Sequence, residues 1–141
     1  VRGGLHAARH EHGLAGAHVL LIQPDAGVFR PLGSRLTGSA RARDVVTRIA
    51  TLLEGIDATR IGSAGGGADI GPSVQAANVP SMSLDVDGSR YFTYHHTPAD
   101  TIDRLDAQDI AKSVAAMAVM GYVVADLPER LPAEAEPRQA R

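Results

Sequence analysis

The 141 residues suffice for one domain or a piece of one, with a modest hydrophobic core. A net charge of −2 and 4% aromatic residues argue against a surface that binds phosphate backbones or stacks bases, so we expect no nucleic-acid partner. The absence of cysteine excludes disulfides, thiol nucleophiles and thiolate metal sites.

The first residues lack the basic-then-apolar layout of a signal peptide. The chain opens with Val1 and not with methionine, so we expect further sequence upstream. Residues 5–12 are predicted to be helical. His6 and His10 would share one face of that helix, but Ala7 stands where a zincin motif has glutamate, and a solvated face is the better interpretation. No apolar run reaches the roughly 18 residues that a membrane-spanning helix needs, so we expect no span.

Further along, short apolar runs alternate with stretches of helical periodicity. The predicted strands are residues 17–22, 59–63 and 79–85; the predicted helices are residues 40–53, a short helix that ends at Ala77, and residues 107–126. This alternation predicts an α/β fold, a layered, mainly parallel sheet flanked by helices. We assign residues 1–127 to the domain, and residues 128–141, which are rich in proline and charge, to a disordered tail.

The last helix has the clearest start signal. Asp106 is predicted as its N-cap and Asp109 as the acidic residue of the first turn, where the helix dipole favours negative charge. Its predicted packing face consists of Ile110, Val114, Met117, Met120, Gly121 and Val124.

Ligands of α/β sheets bind beyond the carboxyl ends of the strands. Three segments are predicted at that edge: Asp25, the glycine-rich residues 65–69, and residues 91–101 with the pair His95-His96. Imidazole and carboxylate are common zinc ligands. Considered alone, however, an aspartate after a strand more often shapes a turn, and a histidine pair more often lies in a surface loop.

Two further motifs are weak. Ser63 lies in IGSAG, which resembles a nucleophile elbow but has Ile61 in place of the first glycine, so a serine hydrolase is the weakest hypothesis. The sequence GGGADIG, residues 65–71, fits neither the dinucleotide nor the phosphate-loop spacing.

Several segments in order resemble the M28 metallopeptidases. YHHTPADTID (residues 94–103) resembles the last zinc-ligand motif of that family, and IQPDAGVF (residues 22–29) resembles the segment that supplies a ligand aspartate. GGGADI (65–70) and AANVP (76–80) are similar to the glycine-rich turn and the strand after it, and GYVVAD (121–126) resembles the end of the carboxypeptidase Q branch. The resemblance implies the C-terminal portion of a zinc-exopeptidase (phosphorylase/hydrolase-like) domain.

Carried over by residue, the resemblance implies that Asp25 binds one of two zinc ions and His96 the other. His96 is preferred to His95 because relatives keep the histidine directly before the threonine position. It implies substrate contacts for Gly67, Asp69 and His95. It also implies a peptide substrate, is compatible with a homo-oligomer, and favours an extracytoplasmic or secreted location.

The departures are equally informative. The family's first histidine, bridging aspartate, general-base glutamate and ligand glutamate have no counterpart in the chain, so no catalytic residue is assigned here and the base is expected upstream of Val1. Gln23 stands where relatives more often have an acidic residue. We therefore expect a zinc exopeptidase in the complete parent and an inactive fragment here; the alternative is a degenerate, non-catalytic module that acts in structure or partner binding.

Overall fold

The computed structural model describes residues 17–132. Its strands are β1 (Leu21–Ile22), β2 (Pro31–Thr37), β3 (Arg60–Ser63) and β4 (Ser81–Val86), and its helices are α1 (Ala40–Ala50), α2 (Gly71–Ala77), α3 (Tyr91–Tyr94) and α4 (Ala107–Ala125). Short 3₁₀ helices span Thr51–Ile56, Gly88–Arg90 and Ile102–Arg104. Each predicted element from residue 17 onward is present with shifted ends, whereas the predicted helix 5–12, with His6 and His10, lies outside the described residues.

The α/β architecture is confirmed, with one strand that was not predicted. The four strands are ordered β1-β4-β2-β3, and the pairs β1–β4 and β2–β3 are parallel. β2 was missed, and it pairs antiparallel with β4, so the sheet is mixed. Its sequence hides it, because Pro31, Gly33 and Arg35 interrupt any apolar run.

The two faces of the sheet differ in character. Leu36 of β2 is paired with Met82 of β4, and both side chains are buried in the core with α1 and α4. The next pair along the strands, Arg35 with Ser83, therefore points to the opposite face, which we call the polar face. Burial on one side and polar residues on the other is usual where antiparallel strands meet.

α4 begins as predicted, and it packs through a face that overlaps the predicted one. Its buried residues are Ser113, Ala116, Met120 and Val124, and the hydroxyl of Ser113 donates a hydrogen bond to the Phe29 carbonyl. The prediction was right for Met120 and Val124 and wrong for Val114, which is 61% exposed. Small residues were the missed signal, because they let the helix approach the sheet closely. No helix within residues 17–132 has the length and apolarity to cross a membrane.

The segment after α4 packs on the fold. Leu131 is buried in the core, and the Pro132 carbonyl accepts a hydrogen bond of 3.0 Å from Ser39 Oγ. Arg41 and Glu129 form an exposed ion pair. Residues 128–132 of the predicted tail thus belong to the packed structure, and residues 133–141 lie outside the described residues.

Asp106 offers a test of the helix start. Its carboxylate accepts hydrogen bonds from the backbone N–H groups of Gln108 and Asp109, at 2.8 and 3.0 Å. Asp106→Ala leaves both donors without this acceptor, and we expect a loss of about 1 kcal/mol in unfolding free energy, measured by urea denaturation. Asp126→Ala, at the negative end of the helix dipole, is the control and should cost nothing; an equal loss in both variants would contradict the capping role.

Candidate metal and substrate site

Two loops meet where β1 and β4 end. β1 and β4 are parallel, so the chain after Ile22 and the chain after Val86 leave the sheet at the same edge. Asp25 follows β1 by three residues, and His95 and His96 follow α3 in the loop after β4. Three side chains implied by the resemblance, those of Asp25, His95 and His96, therefore line one cavity of about 430 Å³, which we call the histidine cavity.

The histidines form part of an aromatic column. The rings of Tyr91 and His95 stack with centroids 4.5 Å apart, and the rings of His95 and His96 stack at 3.8 Å. His96 has φ 56°, in the left-handed region, which costs a non-glycine residue on the order of 1 kcal/mol. Stacking and this backbone conformation together fix the direction of the His96 imidazole at the rim of the cavity.

The loop around the column is held by its own polar groups. The Thr97 hydroxyl donates to the Tyr94 carbonyl at 2.8 Å and accepts from the Ala99 N–H at 3.2 Å, which closes the turn after the histidines. Arg90 donates to the Tyr94 hydroxyl and lies over the same ring. Asp100 lines the histidine cavity as well.

Two carboxylates beside these loops have a lowered pKa. Hydrogen bonds from Ser89, first from its hydroxyl and then from its N–H, hold the pKa of Asp87 below its ordinary value of 3.8. A hydrogen bond from the Thr101 side chain lowers the pKa of Asp103 in the same way. Each contributes stability above the ordinary pKa and loses it as the pH falls through the lowered value, so these two hydrogen bonds weaken only in acid.

A second cavity meets the first at Asp25. It has about 420 Å³ and lies over the polar face, where Arg35, Ser83 and Asp85 line it, so we call it the sheet-face cavity. Phe92, which is 85% exposed, stands at its wall. A larger cavity of about 580 Å³ lies between α1 and residues 127–132, away from the histidines, and is not the candidate site.

The glycine-rich segment reaches the candidate site by a route that the sequence did not predict. β2 is antiparallel to β4 and parallel to β3, so β3 ends at the sheet edge opposite to the histidines. The expectation that β3 itself ends at the edge of Asp25 was therefore wrong, but the segment after β3 returns to that edge, where Gly66 lines the sheet-face cavity together with Asp25. Ser63 also ends β3 at that opposite edge, away from His95 and His96, which argues against the serine-hydrolase hypothesis.

Residues 64–70 instead cross the polar face, and we call them the crossing segment. The Gly65 carbonyl accepts hydrogen bonds from Thr37 Oγ1 of β2 at 2.8 Å and from Ser81 Oγ of β4 at 3.0 Å. At its far end, Gly67 and Asp69 contact the side chain of Gln23, just beyond β1. Gly67 and Asp69 line neither of the two cavities at Asp25, and substrate contact remains a prediction for them.

Comparisons with known proteins agree with the fold. No family model matches the chain. It is 40% identical over 113 residues to human carboxypeptidase Q and 39% identical to the mouse protein, over 80% of this chain and 24% of each relative. A solved Peptidase M28 precursor from Shewanella amazonensis superposes with a TM-score of 0.80 at 31% identity, over 95% of this chain and 30% of that one. The chain thus spans about a quarter of the length of the curated relatives that it matches.

Proposed function

From the premise that this chain corresponds to part of an M28-type peptidase, we propose that its complete parent is a zinc-dependent exopeptidase that hydrolyses peptide bonds. Asp25 and His96 are the zinc ligands that this chain contributes. The chain alone is inactive, because the remaining ligands and the general base belong to sequence that it lacks. Peptides are accordingly the substrates of the parent.

One observation carries this proposal. Asp25 and His96 are 71 positions apart in the sequence, yet both line the histidine cavity. They arrive there from the ends of two adjacent parallel strands, the position where α/β sheets bind their ligands. Convergence of a carboxylate and an imidazole at such an edge supports a metal site far better than either residue alone.

The residues present fit zinc as part of a site. Asp25 is exposed, and its side chain forms no hydrogen bond or ion pair within residues 17–132. Its carboxylate is therefore available to a cation. Carboxylate oxygen and imidazole nitrogen both suit zinc, and a catalytic zinc usually has three protein ligands. Among the described residues no three potential ligand side chains cluster.

The roles of the chain's own residues follow from their contacts. When bound, zinc supplies Lewis-acid polarisation of the scissile carbonyl and a lowered pKa of the attacking water. Asp25 and His96, which both line the histidine cavity, would hold the metal. His95 orients His96 by stacking against it and presents its own ring to the substrate, which accounts for both histidines.

Zinc titration of the 141-residue chain tests this function. We expect weak binding, with a dissociation constant no tighter than about 1 μM, because two ligands fall short of the usual three. Asp25→Ala and His96→Ala should each abolish the heat of binding in calorimetry, whereas Asp44→Ala, on the exposed surface of α1, should leave it unchanged. Tight stoichiometric binding by the chain alone would contradict the incomplete site, and unchanged binding in Asp25→Ala would contradict the ligand role.

A second candidate is a non-catalytic module that binds a partner. Its support is the exposure of large apolar side chains, among them Phe92, Ile102 and Tyr122. A chain that binds no zinc at all would favour this candidate.

From the resemblance alone we also propose an extracytoplasmic location for the parent, which fractionation of the source cells would check. We further propose that the parent self-associates, which sedimentation of the parent would check.

A further inference from the structure

Gln23 is a buried polar side chain with an unusual set of contacts. It is the first residue after β1 and only 8% exposed. Its amide nitrogen donates a hydrogen bond of 3.1 Å to Asp69 Oδ2, and its amide oxygen accepts one of 3.4 Å from the Ile70 N–H. A buried amide that bonds through both ends is satisfied only while the crossing segment stays in place.

The crossing segment is shaped to fit this amide. A Cβ added at Gly67 would lie 2.1 Å from Gln23 Oε1 and 2.3 Å from its Cδ, so the chain packs directly on the Gln23 side chain. The other end of the segment is fixed through the Gly65 carbonyl, which β2 and β4 bind from the polar face. The segment is therefore anchored on the sheet and reaches Gln23 as a fixed support.

β1 needs such a support. It has two residues, and within residues 17–132 its only strand neighbour is β4. The Gln23 N–H bonds to the Met82 carbonyl at 3.0 Å, which is the last ladder contact before the chain turns towards Asp25. Within residues 17–132 the side chain of Asp25 forms no hydrogen bond or ion pair. The position of Asp25 therefore depends on the contacts that hold Gln23, two residues earlier in the chain.

We propose that Gln23 is a positioning residue for Asp25, and that the crossing segment acts on the metal site through it. The proposal rests on the proposed role of Asp25 as a zinc ligand. The glutamine is required here because its partner is a carboxylate: an acidic residue in its place would bring two carboxylates to the 3.1 Å now spanned by a hydrogen bond. The hydrogen bond to Asp69 thus explains why this chain has glutamine at position 23, where relatives more often have an acidic residue.

Reversing the polarity of the pair gives the decisive experiment. Q23E removes the donor, and we expect the zinc affinity of the full chain to fall roughly tenfold, as for other groups that orient a metal ligand. The double variant Q23E/D69N exchanges donor and acceptor with the charge of the pair unchanged, and should return the affinity to within about twofold of wild type. Gly67→Ala should lower the affinity like Q23E, because the new methyl group displaces the amide, while Gly71→Ala, with no atom within 4 Å of the added Cβ, should not.

A structural role alone predicts a different pattern. If Q23E lowers the unfolding free energy but leaves zinc affinity unchanged, or if Q23E/D69N does not restore the affinity, the positioning role is overturned. If wild type binds no zinc, the proposed ligand role of Asp25 fails first. Backbone ¹⁵N relaxation at Asp25 and Ala26 then decides the present inference: increased motion in Q23E that the double variant reverses supports it, and unchanged motion overturns it.

Discussion

Gly65→Ala is expected to unfold much of the protein. An added Cβ would lie 1.9 Å from the carbonyl oxygen of Arg35 and 2.8 Å from Cα of Leu36, both backbone atoms of the central strand β2. β2 is bonded on both sides, to β3 and β4, and cannot move away cheaply. We expect the unfolding free energy to fall by about 3 kcal/mol or more, measured by urea denaturation followed by circular dichroism.

The loss should exceed the direct clash. If the crossing segment lifts off to avoid the collision, the Gly65 carbonyl also loses its hydrogen bonds from Thr37 and Ser81. Gly121→Ala is the control, since this glycine lies inside α4 with nothing within 4 Å of the added Cβ, and it should raise stability by about 0.5–1 kcal/mol. A fall in unfolding free energy in Gly65→Ala together with a rise in Gly121→Ala would assign the effect to the close approach of Gly65 to β2 and not to the replacement of glycine in general. A Gly65→Ala protein as stable as wild type would contradict that close approach.

The sequence predicted what depends on local periodicity. The helical face of Val46 and Ile49, the N-cap Asp106 and the apolar strands β1 and β4 all carry signals that lie within a few residues. β2 carries no such signal, since its Gly33 is needed where an added Cβ would meet the Arg60 carbonyl at 2.0 Å. A glycine that is needed because the backbone of a neighbouring strand lies close to it is interpreted, from the sequence alone, as the end of a strand.

The candidate site, like the fold, was predictable only where its residues carry local signals in the sequence. Asp25 and the histidines lie after two strands that run parallel, and the rule of ligands at carboxyl ends brings them together correctly. The rule failed for the end of β3, because the direction of β3 depends on β2, which the sequence did not reveal. Gln23 was noted only as a departure from relatives, and its contact with Asp69 spans 46 positions, which no local pattern reveals.

Leu36→Ala tests the strand that the sequence hid. Leu36 is 1% exposed in the core on β2, and its Cα partners are Met82 of β4 and Ser63 of β3. Truncation removes buried methyl groups and leaves a cavity that regular neighbours on both sides cannot close. We expect a loss of about 2–5 kcal/mol in unfolding free energy by urea denaturation.

Leu52→Ala is the matched control, because Leu52 is 64% exposed on the 3₁₀ helix after α1 and its truncation should change stability by less than about 0.5 kcal/mol. The two leucines are chemically identical and differ in burial. If residues 31–37 formed a surface loop, both variants would behave alike, and the mixed sheet would lose its centre. A large loss of stability at Leu36 alone requires that β2 is a central strand. Because β2 is antiparallel to β4 and parallel to β3, the chain after β3 must cross the polar face to reach Gln23, next to the end of β1 that carries Asp25.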